Sequence, residues 1–365
     1  MATATTPAPA AGTGTPTAAA AAVAKPTTFA AALNTAMSDA MENDRSVCVF
    51  GEDVGTLGGV FRITDGLTQR FGANRCFDTP LAESGIAGMA MGMAINGMRP
   101  VIEMQFDAFA YPALEQIFSH IAKTANRSRG RVRLPMVIRI PYGGGVGGVE
   151  HHCDSSEAYY AHTPGLKIYT PATVSDAYLM LREAIDSPDP VIFFEPKKLY
   201  WTKEAVDLSA LRTRYETAAS DDSSPAAGVG AEGRAVVVRE GTDVSLISYG
   251  PSVSTALKAA EAAAEDGISA EVLDLRSIVP FDDAALQATV TKTGRAVVIA
   301  EAQGFVSVAA EIVARIQERS FHSLSSPVKR VTGFDIPYPS PKLEEHHLPS
   351  VDRILDALDE LQWED

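Results

Sequence analysis

Cysteine is scarce: Cys48, Cys76 and Cys153 are the only three in 365 residues. So sparse and odd a set offers no disulfide framework, and with no charged-then-apolar secretory start a reducing cytoplasm is expected. Long apolar runs are also missing. The longest ones, such as residues 134–140 with Arg139 inside, fall far short of the roughly 20 residues needed to cross a bilayer, so a soluble protein without a membrane partner is expected. Positive charge is in deficit, with 31 Lys and Arg against 46 Asp and Glu and a net charge of −15. Nucleic-acid affinity rests on Lys and Arg neutralising phosphates, so nucleic acid is not an expected partner. Also absent are a Gly-x-Ser-x-Gly elbow, a Gly-x4-Gly-Lys-Ser/Thr phosphate loop and a Rossmann fingerprint after the first strand. The hydrolase, nucleotide-binding and dehydrogenase classes built on them lose support. No internal repeat of about 20–50 residues occurs, which excludes solenoids and propellers.

What is present is enough chain for two packed units. A domain takes about 100–200 residues, and 46% hydrophobic content is ordinary for packed cores. Residues 1–27 hold 22 Ala, Thr or Pro, a composition that buries too little apolar surface to offset chain entropy; a disordered tail is expected. A transit peptide would be Arg-rich and amphipathic, whereas this stretch has one basic residue, Lys25. From Thr28, a capping residue, apolar Phe29, Leu33, Ala36, Met37, Ala40 and Met41 recur at helical spacing. Apolar runs at 46–50, 100–104, 134–140, 166–170 and 191–194 alternate with helical stretches, predicting an α/β domain over 28–205 on a mostly parallel sheet. Residues 206–240 read as an irregular linker. Alternation then resumes, with strands at 244–248, 270–273 and 296–300, and predicts a second α/β domain over 241–365.

Two segments are rich in chemistry. In residues 78–100, Gly85, Gly88 and Gly92 leave one helix face almost bare at a cost in helix propensity, so something is expected to pack closely there, within the chain or across a subunit interface. Glu83 opens this helix, and spacing alone makes it a solvated first-turn carboxylate stabilising the dipole. In residues 140–162, glycines directly after a buried strand let backbone approach a ligand or another chain. Behind them stand His151, His152, Cys153, Asp154 and His162. Adjacent side chains point different ways and no i, i+4 ligand pair occurs, so spacing favours a histidine in acid–base work over structural zinc. Arg127, Arg129, Arg131 and Arg133 read as a solvated or interface face, and His346 and His347 as surface.

The segments GEDVG at Gly51, DTPLAESGIAG at Asp78, AHTPGLK at Ala161, FFEPKKLY at Phe193 and DLRSIVPFD at Asp274 run through both halves in order. On them the chain, from Thr28 to about Asp356, resembles the beta subunit of the thiamine diphosphate-dependent first component of 2-oxo acid dehydrogenase complexes. The resemblance implies a transketolase-like pyrimidine-binding domain followed by a transketolase C-terminal-like domain. It further implies an α2β2 heterotetramer with an alpha subunit, a lipoyl acyltransferase second component and a 2-oxo acid substrate. No Gly-Asp-Gly segment occurs, so magnesium and the diphosphate half of the cofactor fall mainly to the alpha subunit. Residue by residue, Glu83 matches the carboxylate that hydrogen-bonds the pyrimidine ring, Phe109 the aromatic that packs on it, and His152 the histidine that handles protons on substrate or acyl group. His151 before it and Cys153-Asp154 after it depart from the family pattern. A potassium site built largely of carbonyls would fall at Ala184, Ile185 and Asp189. FFEPKKLY and DTPLAESGIAG look more like branched-chain than pyruvate subunits. The alternatives are a pyruvate dehydrogenase beta subunit, a noncatalytic scaffold and a metallohydrolase on the His151 cluster.

Overall fold

Thr28 caps the first helix, Phe29–Asn43, by accepting a hydrogen bond from the Ala31 amide at 3.1 Å. The computed structural model describes residues 24–219 and 232–361; most of the expected tail and the Ser/Asp-rich run at 220–225 lie outside them. The first half folds around a seven-stranded sheet with the order Ser277–Val279, Lys167–Tyr169, Val191–Pro196, Val137–Tyr142, Arg99–Glu103, Val47–Gly51, Cys76–Asp78. Every pairing is parallel except that of the edge strand Ser277–Val279.

Successive side chains of a strand point to opposite faces, and here each face has its own core. Val47, Val49, Val101, Val137, Val191 and Phe193 pack under the helices Phe29–Asn43 and Val174–Asp186. Cys48, Phe50, Ile102, Ile138, Ile192 and Phe194 pack under the helix Glu83–Ile95, in a cluster that continues into Ile247, Leu273 and Val298 of the second half. Strands buried on both faces are what near-continuous apolar runs encode. The second half carries a five-stranded sheet, Lys329–Gly333, Ala296–Gln303, Val244–Ser248, Ala270–Asp274, Val236–Arg239, with only the last antiparallel.

Two departures from the sequence reading have physical causes. The stretch 206–240 is not wholly irregular: it contains the helix Leu208–Ala219 and the strand Val236–Arg239. That helix lies on the surface, anchored by the buried Tyr215, so its apolar periodicity is weak, and the strand is an exposed edge. Lys25–Thr28 at the end of the expected tail pairs with Lys203–Val206; Pro26 is tolerated in such a two-stranded ribbon because edges need fewer donors. No element packs closely on the bare glycine face of the helix Glu83–Ile95 among the described residues. Among the described residues a Cβ on Gly92 would meet nothing within 4 Å, and one on Gly85 or Gly88 only Ala82 Cβ at 3.6 Å or Gln116 Oε1 at 3.9 Å.

One group breaks the apolar core of the first sheet. Arg139, fully buried, donates from Nε and Nη2 to both carboxylate oxygens of Glu195 at 2.6 and 2.9 Å, and from Nη1 to Glu103 at 2.7 Å. Tyr200 adds a fourth hydrogen bond, to Glu195 at 2.8 Å. Burial raises the pKa of Glu103, with Arg139 opposing. Removing one partner of a buried pair strands the other. Arg139→Met, which leaves two carboxylates without their cation, is expected to destabilise the fold by about 3–5 kcal/mol. Glu103→Gln should cost less, because Arg139 keeps both bonds to Glu195. Denaturant midpoints of the two variants check this order, and a parental midpoint for Arg139→Met would exclude it.

Candidate active site

Ligand sites in parallel α/β sheets form beyond the carboxyl ends of the strands, and four neighbouring strand ends of the first sheet converge here. Val47–Gly51 leads into Glu52, Cys76–Asp78 into Thr79 and Glu83, Arg99–Glu103 into Phe106 and Phe109, and Val137–Tyr142 into the glycine-rich loop before His152. The register Gly51↔Asp78, Gly51↔Glu103 and Glu103↔Arg139 sets these ends side by side. Asp78 locks two of the loops together, accepting from the Gly55 amide at 2.6 Å and the Thr56 amide at 3.2 Å.

Glu83 opens the helix Glu83–Ile95 and is 9% exposed. It is therefore nearly buried, where spacing alone made it a solvated carboxylate. Its neighbour is a second acid, Glu52, whose Oε1 is buried without a hydrogen-bond partner among the described residues. Burial raises the pKa of Glu52, and the charges of Glu83 and Asp53 add to the rise; the Ala82 amide opposes it. Two carboxylates in one poorly solvated place disfavour double ionisation, the direction in which Glu52 is shifted. Sequence reasoning passed over Glu52 as part of GEDVG. The available signal was an acid placed directly after a buried parallel strand.

Phe109 and His152 are brought together. The His152 ring stands edge-on to Phe106 at 4.5 Å and to Phe109 at 5.1 Å between centroids, and its Nδ1 is buried without a partner among the described residues. The segment Ala108–Ala113 that follows Phe106 packs against the Glu83 helix. Asp107 lies beneath, fully buried, accepting from the Ser156 amide at 2.8 Å and from the Ser156 hydroxyl. The two adjacent histidines part company: His151, exposed and with φ of 70°, lines an open groove of about 1120 Å³ together with His162, Tyr159, Gln303 and Phe305.

The remaining expected groups fall elsewhere. Cys153 is fully buried while His151 is exposed, and among the described residues no three His, Cys, Asp or Glu side chains form a metal-holding group. All three thiols are free and buried; burial pushes Cys48 and Cys153 up to about 11 and raises Cys76 as well. His347 is buried, not surface, its ring 5.2 Å from that of Tyr338. The four arginines 127, 129, 131 and 133 are exposed. At the turn expected to hold potassium, Arg99 Nη1 donates to the Ile185 carbonyl at 3.0 Å and the Ser187 carbonyl at 3.3 Å. The Asp189 carbonyl accepts from the Ser187 hydroxyl at 3.0 Å, and its carboxylate pairs with Arg133 at 2.6 Å. With guanidinium charge already at the Ile185 and Ser187 carbonyls and at the Asp189 carboxylate, the turn of Ala184, Ile185 and Asp189 does not fit a further monovalent cation.

Comparison with known proteins adds to this geometry. Residues 25–202 match the family model of the transketolase pyrimidine-binding domain, and residues 233–354 that of the transketolase C-terminal domain. The chain is 50% identical over 328 residues to a pyruvate dehydrogenase E1 component subunit beta of Leifsonia xyli subsp. xyli, covering 90% of this chain and 92% of that one. It is 47% identical over 333 residues to a 3-methyl-2-oxobutanoate dehydrogenase subunit beta of Mycobacterium tuberculosis, covering 91% of each. A solved split-gene transketolase, described as an inactive beta4 tetramer, superposes with a TM-score of 0.71 at 21% identity, covering 90% of this chain and 96% of that one; it shows the two-domain fold. With family models matched across both halves and two relatives of this identity along nearly their whole lengths, the chain belongs to the family of E1 beta subunits of 2-oxo acid dehydrogenases.

Proposed function

We propose that this chain is the beta subunit of a branched-chain 2-oxo acid dehydrogenase, holding the pyrimidine half of thiamine diphosphate at Glu83 and Phe109 and delivering the acyl product to a lipoyl group. The observation that carries this reading is a set of polar atoms at the carboxyl ends of the first sheet's strands, Glu52 Oε1, Thr79 Oγ1 and His152 Nδ1, that are buried without a partner among the described residues, with Glu83 next to Glu52. Buried polar groups are nearly always satisfied, so strand ends that leave these three unsatisfied fit a polar ring with donors and acceptors of its own. Bound there, the cofactor supplies the electron sink for decarboxylation. Glu83 holds a proton shared with a ring nitrogen, Phe109 packs against the ring, and His152 holds or passes a proton on the substrate or acyl group.

The magnesium and diphosphate contacts are assigned mainly to an alpha subunit in an α2β2 heterotetramer, because this sequence contains no Gly-Asp-Gly segment. The exposed Leu81, Met89 and Ile95 around the bare glycine face, 80%, 40% and 52% accessible, support a further chain against that helix. A lipoyl acyltransferase is the proposed second component, and the cytoplasm the proposed compartment, in keeping with three free thiols. A second reading, pyruvate as substrate, is favoured by the Leifsonia relative, at 50% against 47% for the branched-chain one. Reconstitution with the co-purifying alpha subunit and assay on both acids decides: a higher kcat/KM for 3-methyl-2-oxobutanoate than for pyruvate supports the first reading, and the reverse overturns it.

Two variants test the residue roles. Glu83→Gln keeps the shape but cannot share a proton, so hydrogen–deuterium exchange at cofactor C2 is expected to collapse in an assembled complex; a parental exchange rate would refute the assignment. His152→Ala is expected to lower overall turnover by roughly 10²-fold or more, within the range for a lost acid–base group, and His151→Ala far less. Steady-state rates of both variants check this, and a larger loss at His151 would reverse the two.

A further inference from the structure

Five glycines, Gly143, Gly144, Gly145, Gly147 and Gly148, stand between the strand Val137–Tyr142 and the histidine pair. Gly143, Gly145 and Gly147 have φ of 77°, 80° and 69°, which only glycine adopts readily. Space is short as well: a Cβ on Gly144 would lie 2.6 Å from Tyr338 Cζ, and one on Gly148 2.6 Å from Cys153 Sγ. The loop is closed at its base by the Gly143 amide donating to the Asp154 carbonyl at 2.8 Å. His152 therefore belongs to the same closed loop as the glycines, and its own amide donates back to Val149 at 3.1 Å.

The other side of this loop is gripped by the second half of the molecule. One carboxylate, Glu344, accepts from the Gly145 amide at 2.7 Å through Oε1 and from the Gly147 amide at 3.1 Å through Oε2. Tyr338 donates to the same Oε1 at 2.7 Å, orienting the group. A second carboxylate, Glu301, accepts from the Gly144 amide. Both acids are buried, 8% and 6% exposed, and amide bonds to a charged acceptor are about twice as strong as neutral ones.

We infer that Glu344, assisted by Glu301, is a positioning residue for the reaction: it pins the glycine loop so that His152 stays against Phe106 and Phe109. The inference rests on the role proposed for His152. Neither acid touches reacting atoms; their effect passes through three backbone amides to the ring, where small misplacements are costly to rate. Placement of the histidine thus depends on the second domain's contact with the first.

Glu344→Gln is the informative variant, because it keeps size and one acceptor oxygen but sets an NH₂ group against the Gly147 amide, donor against donor. In the complex reconstituted with the alpha subunit, acyl transfer to lipoamide is expected to fall roughly ten-fold with KM for the 2-oxo acid unchanged. Exchange at cofactor C2, which depends on Glu83, should stay parental. Amide hydrogen exchange at Gly145 and Gly147 should quicken, and in a His152→Ala background the same substitution should add less than about two-fold, since groups acting as a unit are not additive. Equal loss of C2 exchange and acyl transfer, a full additive loss in the His152→Ala background, or unchanged loop amides would each overturn the inference. A damaging His152→Ala beside a silent Glu344→Gln fails this inference alone, whereas a silent His152→Ala fails the reading of the site and this inference with it.

Discussion

A single guanidinium with no exposure to water ties together the three strands beneath the site. Arg139 lies on the strand between those of Glu103 and Glu195, and it bonds to both acids. Glu103 and Glu195 stand at or one residue from the ends of their strands, where the chain leaves toward Phe106 and toward Lys197, and Arg139 stands three residues before its strand gives way to the glycine loop. Burying one cation between two anions is expensive in desolvation, and a well-packed apolar trio would be as stable or more so. What the charged trio adds is directionality: a bidentate fork accepts its partners in one plane, so the strand ends cannot slide without breaking it. Loops that start from fixed ends arrive at a fixed place.

A second constraint comes from outside the first sheet. The strand Ser277–Val279, which follows the linker by a long way in the chain, completes the first sheet rather than the second. Just before it, Arg276 pairs with Asp176 of the helix Val174–Asp186. Tyr249 of the second half donates to the buried Glu157 of the first at 2.7 Å. The apolar cluster under the Glu83 helix also runs unbroken into the second half. The two sheets are distinct, but the boundary between them is a core, not a hinge.

The sequence made the regular elements legible where one physical signal dominated. Buried parallel strands read as apolar runs, so residues 244–248 were placed without error against the strand Val244–Ser248, and the Thr28 cap was readable because a hydroxyl ahead of an apolar periodic stretch has one common use. Pairings that span the chain were not legible. Nothing local in Lys25–Thr28 or Ser277–Val279 tells which distant strand each will join. In the site, Glu83, Phe109 and His152 came from resemblance, since spacing alone made Glu83 a solvated carboxylate. Glu52, Glu301 and Glu344 stayed hidden because their meaning is relational: an acid is pushed up in pKa or becomes a grip when the fold sets a second acid or a row of amides against it. Arg139 was visible only as an interruption of an apolar run.

The three thiols have a practical side. Thiolate, not thiol, reacts with electrophiles, and burial holds Cys48 and Cys153 near 11 while shielding all three. At neutral pH the native chain offers maleimides, nitroxide reagents and gold surfaces almost nothing to attach to. One cysteine introduced at an exposed position would then stand as a unique chemical handle on the otherwise unaltered protein. Dyes, spin labels or crosslinkers placed there would report on assembly with other subunits without first stripping the native sulfur atoms from its core.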